Sequence, residues 1–227
     1  MRRPFLQLLG IATVIVLIAG PVAYSFHHLR AMRNFAVVRE GVLYRSGQMS
    51  LDGLKRAVHD YGIRTVVTLR DAYTPGEPAP DREEEHWCQA QEINYYRIPP
   101  RRWEGQGGEP PPVEPGVRQF REIMANPDNY PVLVHCFAGV HRTGAYCAIY
   151  RMEHDRWSNE RAIAEMKRFG YGNLDEEEDI LGYLEHYRPT WRKDAPPAPA
   201  KKAVGKPKRK RQLPGEAKPA WLASPGS

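Results

Sequence analysis

The fold of this chain is decided by one stretch, which reads Val132-Leu133-Val134-His135-Cys136-Phe137-Ala138-Gly139-Val140-His141-Arg142-Thr143-Gly144. Its three apolar opening residues predict a short buried strand. His-Cys follows, and five residues then separate the cysteine from Arg-Thr-Gly, where a helix-forming segment opens. A loop between a strand and a helix N-terminus predicts an anion site, because the first amides of a helix lack partners and attract negative charge.

The residue types in this loop suit a thiolate beside a phosphate group. Gly139 allows the backbone to turn tightly, and Arg142 offers a planar fork that can hold two phosphate oxygens. In such a field Cys136 is expected to ionise below the pKa of roughly 8.5 that free cysteine has, which makes it a nucleophile. The predicted phosphate-binding residues are Phe137, Ala138, Gly139, Val140, His141 and Arg142.

This Cys-x5-Arg-Thr-Gly loop resembles that of the cysteine-dependent protein tyrosine phosphatase superfamily, and His135 stands where that family has its histidine. Val42–Gln48 and Gly62–Arg70 resemble the opening segments of compact dual-specificity phosphatases. The likeness is greatest to the atypical group of bacteria, fungi and plants, whose loops often carry His-Arg-Thr-Gly. It extends over residues 35–190, which is most of the chain.

The resemblance implies hydrolysis of a phosphomonoester in two steps. Cys136 attacks phosphorus, while Arg142 and the loop amides stabilise the equatorial oxygens. Thr143 is expected to donate its hydroxyl to the sulfur and ease its departure in the second step. His135 is a supporting residue that orients the loop and helps to keep the thiolate. The resemblance implies no metal and no cofactor, since the arginine and the amides carry the charge stabilisation.

The proton for the leaving oxygen needs a separate acid, and the family takes it from an aspartate on a mobile loop. The corresponding segment, residues 98–112, contains no aspartate. Glu104 is the preferred candidate, because Trp103 beside it can anchor the loop and shield the acid from water. Glu109 and Asp71 are the alternatives.

The substrate class is left open by the sequence. A phosphorylated protein or a small phosphate ester are the expected partners. The loop lacks the lysines that 3-phosphoinositide phosphatases place there, although inositol pyrophosphate hydrolases occur among the atypical relatives. A protein tyrosine or dual-specificity phosphatase is therefore the first interpretation. A phosphatase of inositol phosphates and a membrane-tethered pseudophosphatase that binds phosphate without turnover are the alternatives.

The N-terminal segment is strongly apolar and predicts a membrane helix. Residues 4–26 carry no charge, and as a helix they would extend about 34 Å, enough to cross a hydrocarbon core. Arg2 and Arg3 precede the span and favour a cytoplasmic N-terminus, so the catalytic domain is expected outside the cytoplasm. The alternative to an anchor is a cleaved signal peptide, for which residues 23–25 offer a small-x-small site. Residues 1–30 are assigned to this anchor or signal segment.

The C-terminal segment, residues 192–227, is basic and rich in proline. It carries ten Lys and Arg against two acidic residues, so this local charge of +8 leaves −2 for the rest of a chain whose net charge is +6. Such a composition cannot bury enough apolar surface to form a core, and disorder is expected. Anionic lipid and nucleic acid are the partners that a basic run can contact, and a solvated tail without a partner is the alternative.

Between these two segments, residues 31–191 form the predicted phosphatase domain. Predicted strands occupy residues 35–45 (one or two strands), 65–69, 94–99 and the run into Cys136. Predicted helices occupy residues 51–61, 81–92, 114–125, 144–154, 160–169 and 174–187. This alternation predicts an α/β fold with a central, mostly parallel sheet flanked by helices, as in dual-specificity phosphatases.

The three cysteines do not make a disulfide scaffold. Cys136 has to stay reduced, and Cys147 falls among apolar residues of a predicted helix and is assigned to the core. Cys88 is either a packed core residue, which is the preferred interpretation, or a reversible disulfide partner of Cys136. No Cys or His spacing in the chain suits zinc.

Overall fold

The structure, a computed structural model, describes residues 13, 17–20, 31–172 and 174–192. The strands of this part of the chain are β1 (Ala36–Arg39), β2 (Leu43–Ser46), β3 (Thr65–Thr68), β4 (Asn94–Arg97) and β5 (Val132–His135). From residue 31 onward the α-helices are α1 (Leu51–Tyr61), α2 (Arg82–Ala90), α3 (Glu114–Ala125), α4 (His141–His154), α5 (Asn159–Arg168) and α6 (Glu178–His186). Short 3-10 turns occupy Pro127–Asn129, Leu174–Glu176 and Thr190–Arg192.

Local sequence signals account for where α1 begins and ends. The Ser50 hydroxyl accepts a hydrogen bond from the Gly53 amide at 3.1 Å and caps the helix N-terminus. Gly62 ends the helix in the left-handed conformation, with φ 63°. The predicted bounds of this helix, and those of α3, are confirmed.

One sheet of five strands, in the order β1-β2-β5-β3-β4, forms the centre of the fold. β2, β5, β3 and β4 run parallel, and only β1 is antiparallel to its neighbour. The prediction of a mostly parallel sheet is therefore confirmed. In the register of the central strands, His135 lies level with Ser46 of β2 and with Thr68 of β3. The residue after His135 consequently leaves the sheet at its middle.

Helices cover the sheet on both faces, because alternate strand residues point to opposite sides. In β5, Val132 and Val134 join the larger core with α3, α4, α5 and α6, whereas Leu133 joins a smaller core with α1 and α2. Such two-sided burial explains why the central strands are continuously apolar. Cys147 is buried in the larger core and Cys88 in the smaller one, as their packing assignments predicted.

The bounds of α2 and α5 differ from the predicted 81–92 and 160–169 by one or two residues, and two other helical segments differ more. α4 begins at His141 rather than at residue 144, because the Gly144 amide already donates to the Val140 carbonyl at 2.9 Å. Arg142 therefore belongs to the first helical turn. The segment predicted as one helix over residues 174–187 divides into a 3-10 turn and α6, since Glu177 between them has non-helical backbone angles.

The predicted membrane segment, residues 4–26, lies outside the described residues except at positions 13 and 17–20. The basic tail lies outside them from residue 193 onward. Among the residues that are described, no helix has both the length and the apolar character needed to cross a bilayer.

Candidate active site

The loop from Cys136 to Val140 connects the C-terminal end of β5 to the first turn of α4. Ligands of parallel α/β sheets bind at this edge, where loops leave the carboxyl ends of the strands. The loop lies between the ends of β2 and β3, which flank β5 on its two sides. Residues following those two strands therefore surround Cys136.

Three consecutive carbonyls of the loop are held outward by hydrogen bonds. The Phe137 carbonyl accepts from the Gln48 amide at 2.9 Å, and the Ala138 carbonyl accepts from the Asn34 side chain at 2.8 Å. The Gly139 carbonyl accepts from Arg45 at 2.7 Å. In a planar trans peptide the next N–H points opposite to the carbonyl. The amides that follow each of these carbonyls are thus directed toward the inside of the loop, as an anion cradle requires.

Gly139 is the one loop position where the conformation demands glycine. Its φ is +75°, and a Cβ there would lie 2.4 Å from the Gly47 nitrogen and 2.5 Å from the Ser46 carbonyl carbon. The loop therefore packs directly against the end of β2. Any larger residue would push the loop away from that strand.

Cys136 is distinguished from the other cysteines by its ionisation. Burial raises the pKa of Cys88 to about 12 and that of Cys147 to about 11, so both remain thiols. Burial also acts to raise the pKa of Cys136, but hydrogen bonds from Thr143 and Gly139 and the charge of Arg142 lower it below its ordinary value. The Gly139 amide donates to the sulfur at 3.2 Å. Of the three buried cysteines, Cys136 is the one prepared to act as a nucleophile.

Thr143 contributes two donors to the sulfur, its hydroxyl and its amide. The same hydroxyl lies 3.5 Å from the Ser46 carbonyl, at the limit of a hydrogen bond. One proton cannot serve both acceptors at once. We assign it to the Cys136 sulfur, since a thiolate is the stronger acceptor. Thr143 is fully buried, so water does not compete for this proton.

Arg142 is positioned by the end of β3. Its Nη1 donates to the Leu69 carbonyl at 2.6 Å, and the remaining guanidinium donors are left for other acceptors. Since Arg142 lies in the first turn of α4, its charge adds to the positive end of the helix dipole at the same place.

His135 is buried directly before the nucleophile and has a carboxylate partner. Its Nε2 lies 2.7 Å from Oε1 of Glu84, a residue of α2 that is also buried. Burial alone would lower the pKa of His135, but the negative charge of Glu84, with smaller effects of Asp81 and Cys136, raises it above its ordinary value. The interaction with Glu84 therefore favours the protonated form of the imidazole next to Cys136.

The carboxylates around His135 are already supplied with donors. Asp81, Glu84 and His135 offer ligand atoms within 4.8 Å of one another, a spacing that a metal ion could use. However, Arg97 donates to Asp81 at 2.6 Å, and Gln48 donates to Glu84 at 2.6 Å. A cation would have to displace both donors, so this cluster fits a support for His135 rather than a metal centre.

The mouth of the site is formed by an exposed aromatic ring between two arginines. The Phe137 side chain is 51% exposed, and the Cζ atoms of Arg33 and Arg70 lie 4.3 Å and 5.3 Å from its ring centre. Neither guanidinium forms an ion pair with a carboxylate of the described residues. On another side of the loop, His141 stacks on Tyr171 with ring centres 4.3 Å apart.

Among the described residues, none of the acid candidates forms a hydrogen bond or an ion pair with Cys136 or Arg142. Glu104 is exposed and lines a cavity of about 530 Å³ toward α3 and α6, which it shares with Trp103. Trp103 is buried and also lines the hollow beside Arg142, as expected for an anchor of this loop. Glu109 is exposed, and Asp71 is partly buried with its carboxylate on the Ala72 amide.

Sequence reasoning assigned no role to four residues that the structure brings to the site. They are Arg45, Gln48, Arg70 and Glu84. The first three follow from sheet topology: they lie in or just after β2 and β3, the strands adjacent to β5. Glu84 gave no sequence signal of its own, because it stands in a run of charged residues within the helix predicted over residues 81–92.

Comparison with known proteins agrees with this geometry. The sequence profile of a family described as the tyrosine phosphatase family matches residues 29–198. The dual specificity protein phosphatase TpbA of Pseudomonas aeruginosa (strain UCBPP-PA14) is 38% identical over 65 residues, which cover 29% of this chain and 30% of TpbA. The inositol diphosphatase DSP1 of Oryza sativa subsp. japonica is 31% identical over 140 residues, 60% of this chain and 56% of DSP1. The chain thus spans less than two thirds of the length of either relative.

Solved structures share the fold. The superposition on the crystal structure of P. aeruginosa TpbA covers 69% of this chain and 86% of the TpbA chain, with a TM-score of 0.53 and 22% sequence identity. The core catalytic domain of the PP-IP phosphatase SIW14 from S. cerevisiae, in complex with citrate, covers the same fractions with a TM-score of 0.53 and 23% identity. At these identities the likeness establishes the α/β architecture.

Proposed function

This chain belongs to the tyrosine phosphatase family, the cysteine-based enzymes of the atypical dual-specificity type, and we propose that it hydrolyses phosphomonoesters through a phosphocysteine. The observation that carries the proposal is the contrast among its three buried cysteines. Only Cys136 has a lowered pKa, and it lies at the centre of a loop whose amides face inward. Protein phosphotyrosine, or phosphoserine and phosphothreonine, is the first substrate class.

In the first step the Cys136 thiolate attacks phosphorus, an S–P bond forms and the P–O ester bond breaks. Arg142 and the inward amides stabilise the charge on the equatorial oxygens. The leaving oxygen takes a proton from the general acid, for which we propose Glu104 after closure of its loop. In the second step water attacks phosphorus and gives a proton to the same carboxylate. The S–P bond then breaks toward a sulfur that the Thr143 hydroxyl stabilises.

Hydrolysis of p-nitrophenyl phosphate in the presence of EDTA tests this proposal. The wild-type chain is expected to hydrolyse this substrate. The substitutions Cys136→Ser and Arg142→Ala are each expected to abolish hydrolysis. Arg118→Ala is the matched control, because Arg118 is an exposed arginine on α3 outside the site. A wild-type chain that binds phosphate or vanadate without hydrolysis would instead be the pseudophosphatase.

A second substrate class, inositol phosphates, is favoured by the mouth of the site. Arg33 has no carboxylate partner among the described residues and lies against the exposed Phe137, so it can receive a further anionic group of a substrate. Arg70, also beside that ring, is buried and donates to Gln48 at 3.0 Å. Arg101 and Arg102 add two exposed charges on the facing loop. A relative, DSP1, is named as an inositol diphosphatase.

Rates on a panel of substrates separate the two classes. The panel contains a phosphotyrosine peptide, a phosphoserine peptide and inositol polyphosphates with and without a diphosphate group. If inositol phosphates are the substrates, Arg33→Ala will raise KM for them much more than for the peptides, while Arg118→Ala will change neither. If the wild type prefers the peptides and Arg33→Ala does not change KM for inositol phosphates, the protein phosphatase is supported and the inositol phosphate class is excluded.

We further propose that residues 4–26 anchor the domain to a membrane, with the catalytic part outside the cytoplasm. The length and uncharged character of the segment and the preceding Arg2 and Arg3 support this. Extraction of membranes with alkaline carbonate should leave the full chain in the pellet. Release into the soluble fraction, with a shortened N-terminus, would instead indicate a cleaved signal peptide.

A further inference from the structure

Arg45 is a buried arginine without an ionic partner. It belongs to β2, is 2% exposed, and ranks among the largest fully buried side chains of the described part of the chain. No carboxylate of the described residues lies within ion-pair distance, and its Nε has no hydrogen-bond partner there. The Phe169 ring covers the guanidinium, with Cζ 4.5 Å from the ring centre. A charge buried in this way is costly unless something nearby compensates it.

The one hydrogen bond that the structure gives this guanidinium goes to the phosphate loop. Its Nη2 donates to the Gly139 carbonyl at 2.7 Å, across 94 residues of sequence. The Gly139 amide donates to the Cys136 sulfur at 3.2 Å. Because the Gly139 carbonyl points down to Arg45, the N–H of Val140 in the same peptide plane points away from it and into the loop. Arg45 therefore lies on the opposite side of the cradle from the anion.

We propose that Arg45 is a positioning residue for the phosphate site, which fixes and polarises the Gly139–Val140 peptide so that the Val140 N–H faces the anion held in the loop beside Cys136. The inference rests on the proposed function, because it takes Cys136 as the nucleophile. Arg45 acts through the loop backbone and does not touch the substrate.

The same geometry couples the buried cation to the anion. A negative charge in the loop, either the thiolate or a bound oxyanion, compensates the unpaired guanidinium through the intervening peptide. Such coupling is reciprocal, so removing the cation has to weaken anion binding and disfavour the thiolate. A residue that only fills space under the loop would have neither effect.

Arg45→Met, which keeps an unbranched apolar side chain and removes both the charge and the donors, tests the proposal. In this variant the pH midpoint for alkylation of Cys136 by iodoacetamide is expected to rise by about one unit. The dissociation constant for vanadate is expected to increase about tenfold. The increase in melting temperature that vanadate gives to the wild type should shrink in the variant. Arg45→Lys keeps the charge without the planar fork, so its alkylation midpoint and vanadate Kd should lie between those of the wild type and of Arg45→Met. If Arg45→Met does not fold, the values for Arg45→Lys test the proposal.

Arg151→Met is the matched control, since Arg151 is a largely buried arginine of α4 that pairs with Asp155 and Glu165. It should lower stability and leave the alkylation midpoint and the vanadate Kd unchanged. If Arg45→Met behaves in the same way, the proposal is overturned. These readouts need no turnover, so failure of the proposed function would show separately, as absent hydrolysis by a wild-type chain whose Cys136 still alkylates at low pH.

Discussion

Glu84 and His135 form a buried pair, with Oε1 and Nε2 2.7 Å apart, although they come from a helix and a strand far apart in sequence. When His135 is protonated and ion-paired with Glu84, the pair is neutral as a whole and its positive end is the one adjacent to Cys136. It therefore favours the thiolate without placing a net charge in the core. The Gln48 side chain links this pair to Arg70, since its Nε2 donates to Glu84 and its Oε1 accepts from Arg70.

Replacement of Glu84 by glutamine should make Cys136 less reactive. Without the carboxylate, His135 loses the interaction that raises its pKa and becomes neutral in its buried position. The alkylation midpoint of Cys136 should move up by about one pH unit. Glu83→Gln is the control, because Glu83 is an exposed neighbour on the same helix. An unchanged midpoint in Glu84→Gln would exclude His135 as the source of the effect.

The same pair predicts how stability depends on pH. The pKa of His135 is higher in the folded state than its ordinary value of 6.5. The folded state thus binds the proton more tightly, and this contribution is complete below pH 6.5 and is lost as pH rises through the folded pKa. Urea unfolding of the wild type should show a fall in free energy across this range. Glu84→Gln should flatten that fall, and a slope equal to that of the wild type would contradict the prediction.

Loss of the Thr143 hydroxyl should act mainly on the second chemical step. In Thr143→Val the sulfur leaves the phosphocysteine without a donor, so hydrolysis of the intermediate should slow about tenfold. A burst of p-nitrophenol followed by slow turnover is the expected kinetic signature. Thr143→Ser keeps the hydroxyl and should restore the wild-type pattern. Equal slowing of burst and turnover would place Thr143 in the first step instead.

Gly139→Ala should disable the loop, because the added Cβ would overlap the backbone of Gly47 and Ser46. A displacement of the loop by about 1 Å is enough to reduce turnover about 100-fold. Gly62→Ala is the matched control: it has a similar positive φ of 63° but no atom within 4 Å of the added Cβ. That variant should lose about 1 kcal/mol of stability and keep its activity. Similar activity losses in both would point to backbone strain rather than to the contact.

The general acid is testable by substrates with poor leaving groups. Glu104→Gln should slow hydrolysis of a phosphotyrosine peptide about 100-fold and flatten the high-pH fall of its rate profile. The loss should be smaller for p-nitrophenyl phosphate, whose leaving group needs less protonation. Glu109→Gln and Asp71→Asn are measured in parallel. Whichever variant alone flattens the profile identifies the acid, and an effect confined to either of the latter two would refute Glu104.

Local sequence determined the elements and the chemistry that depends on consecutive residues. The alternation of apolar runs and caps predicted an α/β fold with a mostly parallel sheet, because helix and strand periodicity and the Ser50 and Gly62 signals act over a few residues. The loop with Cys136 and Arg142 was equally visible, since strand, turn and helix N-terminus follow one another directly in the chain.

Only the tertiary structure decided what surrounds that loop. Arg45 and Glu84 are 91 and 52 residues before Cys136, and nothing near them in sequence indicates a role. Arg45 becomes a neighbour of the loop because β2 flanks β5, and Glu84 does so because α2 places its buried carboxylate 2.7 Å from His135. Interactions between charges depend on distance in space and on burial, and sheet order fixes both.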